Sequence, residues 1–293
     1  MGDLSVDVAL HVQAQHAEGP IWDGPTERLW WVDIVGERVH CFDPASGDDS
    51  SWRVPGQPGG VAIDTAGTPI VATPEGLARL NTATGALELC APVERDKPEN
   101  RANDVKVDGR GRAWVGSMAF DKRARHAALH RVHGDVVTLM VPELTISNGP
   151  AFDDVAGRLY LADTADGTVD VFDFDLDSGE IRGRRPFLAF RDRQWWPDGM
   201  TVDDEGMLWL ALGRAGAVHR YGPDGTLRSV VEIPTSNPTS VAFGGSDGRD
   251  LYITTSWTDL EAADRSRHPL AGAIFRCRPG VRGRPSPRFQ QDR

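Results

Sequence analysis

Residues 148–179 read NGPAFDDVAGRLYLADTADGTVDVFDFDLDSG. A key residue, Asn148, opens a short apolar pattern that ends five places later at Asp153. A strand-like Leu159-Tyr160-Leu161-Ala162-Asp163 follows, then a second in Val169-Asp170-Val171-Phe172, then a Ser178-Gly179 turn. Short apolar and β-branched runs, closed by dipeptides that tolerate positive φ, are the mark of antiparallel hairpins.

The unit recurs in both directions along the chain. Equivalents of Leu159–Asp163 are Leu29–Asp33, Ala113–Gly116, Leu208–Ala211 and Leu251–Thr254, with a weaker copy at Pro69–Ala72. The turn recurs at Ser46-Gly47, Thr84-Gly85 and Asp224-Gly225, and no long amphipathic helix interrupts the series. A period of about 40–50 residues matches a four-stranded propeller blade. Six copies fill the chain, which predicts an all-β, six-bladed β-propeller of four-stranded blades. Stacking each sheet between neighbours buries both its faces, and a closed ring leaves only short edges. Ser5–Leu10 is a strand outside the first repeat, and we expect it to complete the last blade. The expectation is a single domain over 1–293, with the Arg-, Pro- and Gly-rich segment 279–293 partly frayed.

Composition supports this and excludes other classes. The 293 residues are 40% hydrophobic and carry nine Trp, 32 Gly and 20 Pro, a turn-rich globular balance. The formal net charge of -11 offers no basic face for nucleic acid. No apolar run approaches the ~18 residues of a membrane span, and residues 1–15 lack a basic then apolar leader. Cys41, Cys90 and Cys277 are odd in number and far apart, which suits a reducing compartment. We expect a cytoplasmic monomer without nucleic-acid or membrane partners.

The key residue heads a column of chemistry. Its copies are Glu18-Gly-Pro-Ile-Trp-Asp23, Asn103-Asp-Val-Lys-Val-Asp108, Asn148-Gly-Pro-Ala-Phe-Asp153 and Asp198-Gly-Met-Thr-Val-Asp203. Two degenerate copies begin at Gly59 and Thr239. In a ring of repeats equivalent positions lie on one circle. If this segment is the innermost strand, two carboxylates and two amides face the channel, a donor set suited to a hard divalent cation. Asn-Gly and Asp-Gly are also ordinary turn dipeptides, but Glu18 is a poor turn residue and shares the register. The repeated Asp23, Asp64, Asp108, Asp153 and Asp203 read as caps of strand ends and turns.

These segments resemble the senescence-marker-protein and gluconolactonase family, the regucalcin-like lactonases. The likeness rests on Glu18-Gly-Pro-Ile-Trp22, Arg101-Ala-Asn103-Asp104, Gly111–Met118, Ile146–Pro150, Pro197–Met200 with Glu205–Trp209, Phe243–Gly245 and Pro269–Gly272, and it covers nearly the whole chain. It implies a metal-dependent hydrolase that opens a sugar (aldono-) lactone to its acid. The resemblance puts metal ligands at Glu18, Asn148 and Asp198, and substrate or metal water at Asn103. It also puts substrate contacts at Arg101 and, beyond the Gly-Ser-Met run, at Asp121. Oxygen donors leave calcium, zinc, manganese, magnesium and ferrous iron undistinguished.

The basic segment Lys122–His126, Ala127–His130, and Trp195-Trp196 before Pro197 depart from the family pattern and bear on substrate identity. Trp195 and Trp196 would either pack between blades or wall off a sugar ring. His16, near Glu18, reads as strand surface. Chemically, a divalent ion would polarise the lactone carbonyl, with Asp198 both ligand and general base and Arg101 and Asn103 stabilising the oxyanion. We expect no serine nucleophile. An organophosphate or other ester hydrolase on the same metal, or a non-catalytic calcium-binding propeller, are the alternatives.

Overall fold

A computed structural model describes residues 4–258 and 260–291. It contains six four-stranded antiparallel sheets, five of them meanders of consecutive strands. The inner strands of blades 1 to 6 are Ala17–Asp23, Gly60–Ile63, Asn100–Val107, Ser147–Asp153, Trp196–Val202 and Pro238–Gly244. Each touches its two neighbours around the ring. In blade 6 the outermost strand is Val6–Leu10, paired antiparallel with Ile274–Cys277, so the N-terminal strand closes the ring as expected. Helix is confined, among the described residues, to the turns Arg191–Arg193 and Ala262–Arg265, and no helix is long and apolar enough to cross a membrane.

Alternation of the strands drives the packing. Inner strands are buried, as in Pro238–Gly244, whereas the outer strand Glu180–Ala189 is mostly exposed. The core lies between blades. Trp30, Val32 and Val39 of blade 1 meet Val61, Ile63, Val71 and Leu80 of blade 2, for example. Burying such side chains stabilises by roughly 1.5–3 kcal/mol each.

The repeat is legible in hydrogen bonds too. Trp114 Nε1 donates to Asp108 Oδ2 at 2.9 Å, and Trp209 Nε1 donates to Asp203 Oδ2 at 2.9 Å, six residues apart in both blades. Asp203 also accepts from the N–H groups of Glu205 and Met207 and from Arg220 Nε. The repeated aspartates therefore cap strand-to-strand turns at one end of the ring.

At that same end residues 279–291 cross the ring as a strap. Arg284 pairs with Asp153 at 2.9 Å, and Arg288 pairs with Asp23 and donates to the Asp64 carbonyl at 3.0 Å. Phe289 is fully buried in the core shared by blades 2 and 3, and its N–H donates to the Ile63 carbonyl at 2.8 Å. Arg284 and Arg288, which read as solvated, thus pair with two of the capping aspartates. Residues 292 and 293 lie outside the described residues.

Candidate functional site

At the opposite end the inner strands are irregular. Pairing with the second strand shifts register between Glu18 and Ile21, Ala102 and Asp104, Asn148 and Ala151, Pro197 and Met200, and Pro238 and Ser240. A β-bulge re-aims side chains, and here it recurs beside the key residue of every blade but the second. Blade 2 pairs without a shift. Its key residue, Gly59, is glycine for a steric reason: a Cβ there would lie 2.4 Å from the Ala102 carbonyl oxygen and 2.5 Å from that of Asn103.

The other five key residues, Glu18, Asn103, Asn148, Asp198 and Thr239, line one cavity of ≈ 240 Å³. Arg101 lines it as well. Among the described residues no three His, Cys, Asp or Glu gather to hold an ion. An ion in this cavity has to draw on amides beside the two carboxylates.

The amides are oriented by hydrogen bonds. Thr164 Oγ1 donates to the Pro197 carbonyl at 2.6 Å and accepts from Asn148 Nδ2 at 2.7 Å. Asn148 Oδ1 accepts from Asn103 Nδ2 at 2.7 Å, and that same Nδ2 reaches the Ser147 carbonyl at 3.0 Å. The Asn148 oxygen is thus fixed on the Asn103 side. Thr164 was not singled out in the sequence because it lies outside the key column, one residue past the second strand of blade 4.

The carboxylates are under electrostatic load. Glu18 Oε2 accepts from the Gly19 N–H at 2.5 Å, but Glu18 Oε1 is buried without a hydrogen-bond partner. Burial, then the charge of Asp104, pushes the Glu18 carboxyl up to about 8. Desolvation, then the charges of the nearby Glu18 and Asp104, holds the Asp198 carboxyl well above the usual range. Two carboxyls set this close need a proton or a cation between them. An orphaned Oε1, a paired carboxyl and an aimed amide oxygen together fit a divalent ion.

Asp104 is the third buried acid. It accepts from the Val105 N–H at 2.7 Å and the Gly149 N–H at 3.0 Å, with Lys106 Nζ at 4.0 Å. It thereby ties the backbone after Asn148 to blade 3. The sequence reading passed over Asp104 because strict alternation would turn it away from Asn103; the bulge between Ala102 and Asp104 removes that alternation.

The walls separate the remaining residues. Arg101 is buried, donating to the Ala102 carbonyl at 2.9 Å and to Met118 Sδ at 3.1 Å. Burial lowers its guanidinium to about 10, opposed by Glu18, so it stays a cation at neutral pH. The structure does not bring Asp121 to the cavity. Asp121 is exposed and its two oxygens accept from Arg123 Nε at 3.0 and 2.9 Å; Lys122 lines the cavity instead. The two tryptophans part company. Trp196 lines the cavity, while Trp195 packs on Phe190 and edge-on to His219, so one is wall and the other is core. His16 is on the cavity wall rather than a strand surface, with Nδ1 3.1 Å from Ser256 Oγ.

Comparison with known proteins gives one answer. Residues 16–257 match the family described as SMP-30/gluconolactonase/LRE-like region. Regucalcin of Gallus gallus is 34% identical over 97% of this chain and 98% of its own length. A pentonolactonase of Haloferax volcanii is 33% identical over 99% of both chains. Among solved structures, a calcium-binding regucalcin of Agrobacterium tumefaciens superposes with a TM-score of 0.93 at 27% identity, over 98% of each chain.

Proposed function

Because this chain belongs to the SMP-30/gluconolactonase/LRE-like family, we propose that it is a metal-dependent lactonase that opens a sugar lactone to the corresponding acid. The observation that carries this reading is the convergence of one register column on one cavity, with Glu18 and Asp198 set close and Glu18 Oε1 without a partner. Glu18, Asn148 and Asp198 would hold the ion, with Asn103 beside them. Relatives named for lactone hydrolysis and for calcium binding support the substrate class and the divalent ion.

When bound, the ion supplies a Lewis acid for the lactone carbonyl and acidifies an attacking water. Asp198 would take a proton from the attacking water and return it to the leaving ring oxygen. Arg101, with donors left over after Ala102 and Met118, binds a ring hydroxyl or the developing oxyanion. Asn103 holds Asn148 in register, and Trp196 gives the sugar ring an apolar face. Three free cysteines accord with a cytoplasmic enzyme.

The test is a pH-stat assay on five- and six-membered aldonolactones, with metal content measured in parallel and the spontaneous rate subtracted. Arg101→Ala should keep its metal and lose hydrolysis, because arginine donates and cannot ligate. A metal-loaded parent that opens no lactone refutes the reading. Turnover of an organophosphate ester by that same protein would then favour the ester hydrolase, and metal binding without any turnover the calcium-binding propeller.

A further inference from the structure

The cavity wall built by blade 3 carries positive charge that a neutral sugar does not require. Lys122 follows the strand Ala113–Ala119 in a tight turn, with φ +57 and its N–H on the Ala119 carbonyl at 2.9 Å. This turn leaves Asp121 bonded to Arg123 and Lys122 on the cavity. Arg101 is on the same blade, its backbone paired with Met118. Neither Lys122 nor Arg101 forms an ion pair among the described residues.

The rest of the perimeter differs. His16, Asn237, Thr239 and Ser256 are polar, and Trp196 is aromatic with the Arg214 guanidinium 3.9 Å over its ring. Glu18 and Asp198 belong to the ligand column and Asp104 has Lys106 beside it; Glu18 is also the acid whose charge acts on Arg101. The chain as a whole has a net charge of -11, which repels anions at a distance. Beyond the ~8 Å reach of unscreened charge at physiological salt, that net charge is muted, and the local wall decides. A buried guanidinium with spare donors and an exposed ammonium, both lining one cavity, give an oxyanion two cationic donors.

We propose that the lactone taken by this site carries a second, anionic group, a carboxylate or a phosphate on the sugar, and that Lys122 with Arg101 binds it. The inference rests on the lactonase reading above and adds the charge of the substrate to it. Lys122 is the specificity-determining residue, since Arg101 is shared with the reaction itself.

The experiment compares three lactones of one ring size: a neutral hexonolactone, one bearing a terminal carboxylate, and one bearing a terminal phosphate. The parent should prefer at least one anionic lactone by about tenfold in kcat/KM, the discrimination that one additional charged contact supplies. Lys122→Met should remove that preference and leave the neutral lactone within about twofold; Lys122→Arg should restore most of it. The carboxylate and phosphate arms identify which anion the wall fits. Calorimetry of the open-chain diacid against the monoacid gives a readout independent of turnover. Equal hydrolysis of all three lactones, untouched by Lys122→Met, overturns the inference and leaves the lactonase reading intact. No hydrolysis, but Lys122-dependent preference for the diacid, retains the anion site and sinks the lactonase reading. No hydrolysis and no charge preference in binding sinks both.

Discussion

The two ends of the inner strands use the same residue types for opposite ends. Asp203 caps the strand Trp196–Val202 and is fully buried, yet it is met by two backbone N–H groups, the Trp209 indole and Arg220. Asp198, five residues earlier, is half-buried and set against Glu18, with Asp104 near enough to act on both. The caps of one end are met by N–H groups, indoles and arginines and strapped by the tail; at the other, Glu18 Oε1 has no partner. Asp154 Oδ1 at the strapped end is also unpaired but stands outside the key column. Buried polar groups are normally paired, so an unpaired carboxylate oxygen in the cavity lined by that column marks where a ligand belongs.

The sharpest way to break this contrast is to delete one aspartate from each end. Asp198→Ala should lower kcat by ~10³-fold or more, as removal of a ligand and base in one step implies. Its metal-free unfolding midpoint should stay level or rise, because a repelling acid is gone. Asp203→Ala should do the reverse. It strands Trp209 Nε1 and leaves Arg220 with Glu205 alone, which costs about 1–3 kcal/mol, while the molecules that fold keep the parent kcat. Urea unfolding and pH-stat rates on the same samples decide it. Asp203→Ala with parental stability and lost turnover would erase the distinction between the ends.

A second effect separates the strap from the site. Phe289→Ala should cost about 3–5 kcal/mol in chemical unfolding, with kcat and metal affinity held within about twofold of the parent. Phe289 touches the core of blades 2 and 3 and no ligand of the cavity. A loss of metal affinity that exceeds the loss of stability would show that the strap reaches the ligand column.

The strap also shows what the sequence could not convey. Blade number, ring closure by Val6–Leu10 and the column Glu18, Asn103, Asn148 and Asp198 were legible because each is a local pattern repeated at a fixed period. Arg284 and Arg288 find Asp153 and Asp23 across 131 and 265 residues of chain, and no period reports such a pairing. A run of Arg, Pro and Gly therefore reads as solvated. The switch from Asp121 to Lys122 failed for another reason. Alternation tells which residues share a face only in an extended strand, and Lys122 occupies a positive-φ turn.

The finest comparison is in proton binding. In metal-free protein the Glu18 carboxyl is raised from its ordinary 4.5 to about 8, and Asp198 and Asp104 are raised as well. The folded state then holds more protons than the unfolded state across that window, so the contribution of these groups to stability falls as pH rises. It is fully present below about 4.5 and lost as pH passes through about 8. Scanning calorimetry in chelator should find the unfolding midpoint declining over this range, and Glu18→Gln should flatten the decline because the amide does not ionise. Saturating divalent metal should counter the decline, since ligation favours the deprotonated carboxylates and strengthens as they lose protons. Glu18→Gln should also bind metal more weakly, having lost one of only two carboxylates in the column. The far end supplies the control. Asp203→Asn should lower the midpoint, because it takes a carboxylate acceptor from the Trp209 indole and Arg220. If Glu18→Gln kept the full slope, the proton-binding group would not be Glu18, and the ligand column would have to be sought elsewhere.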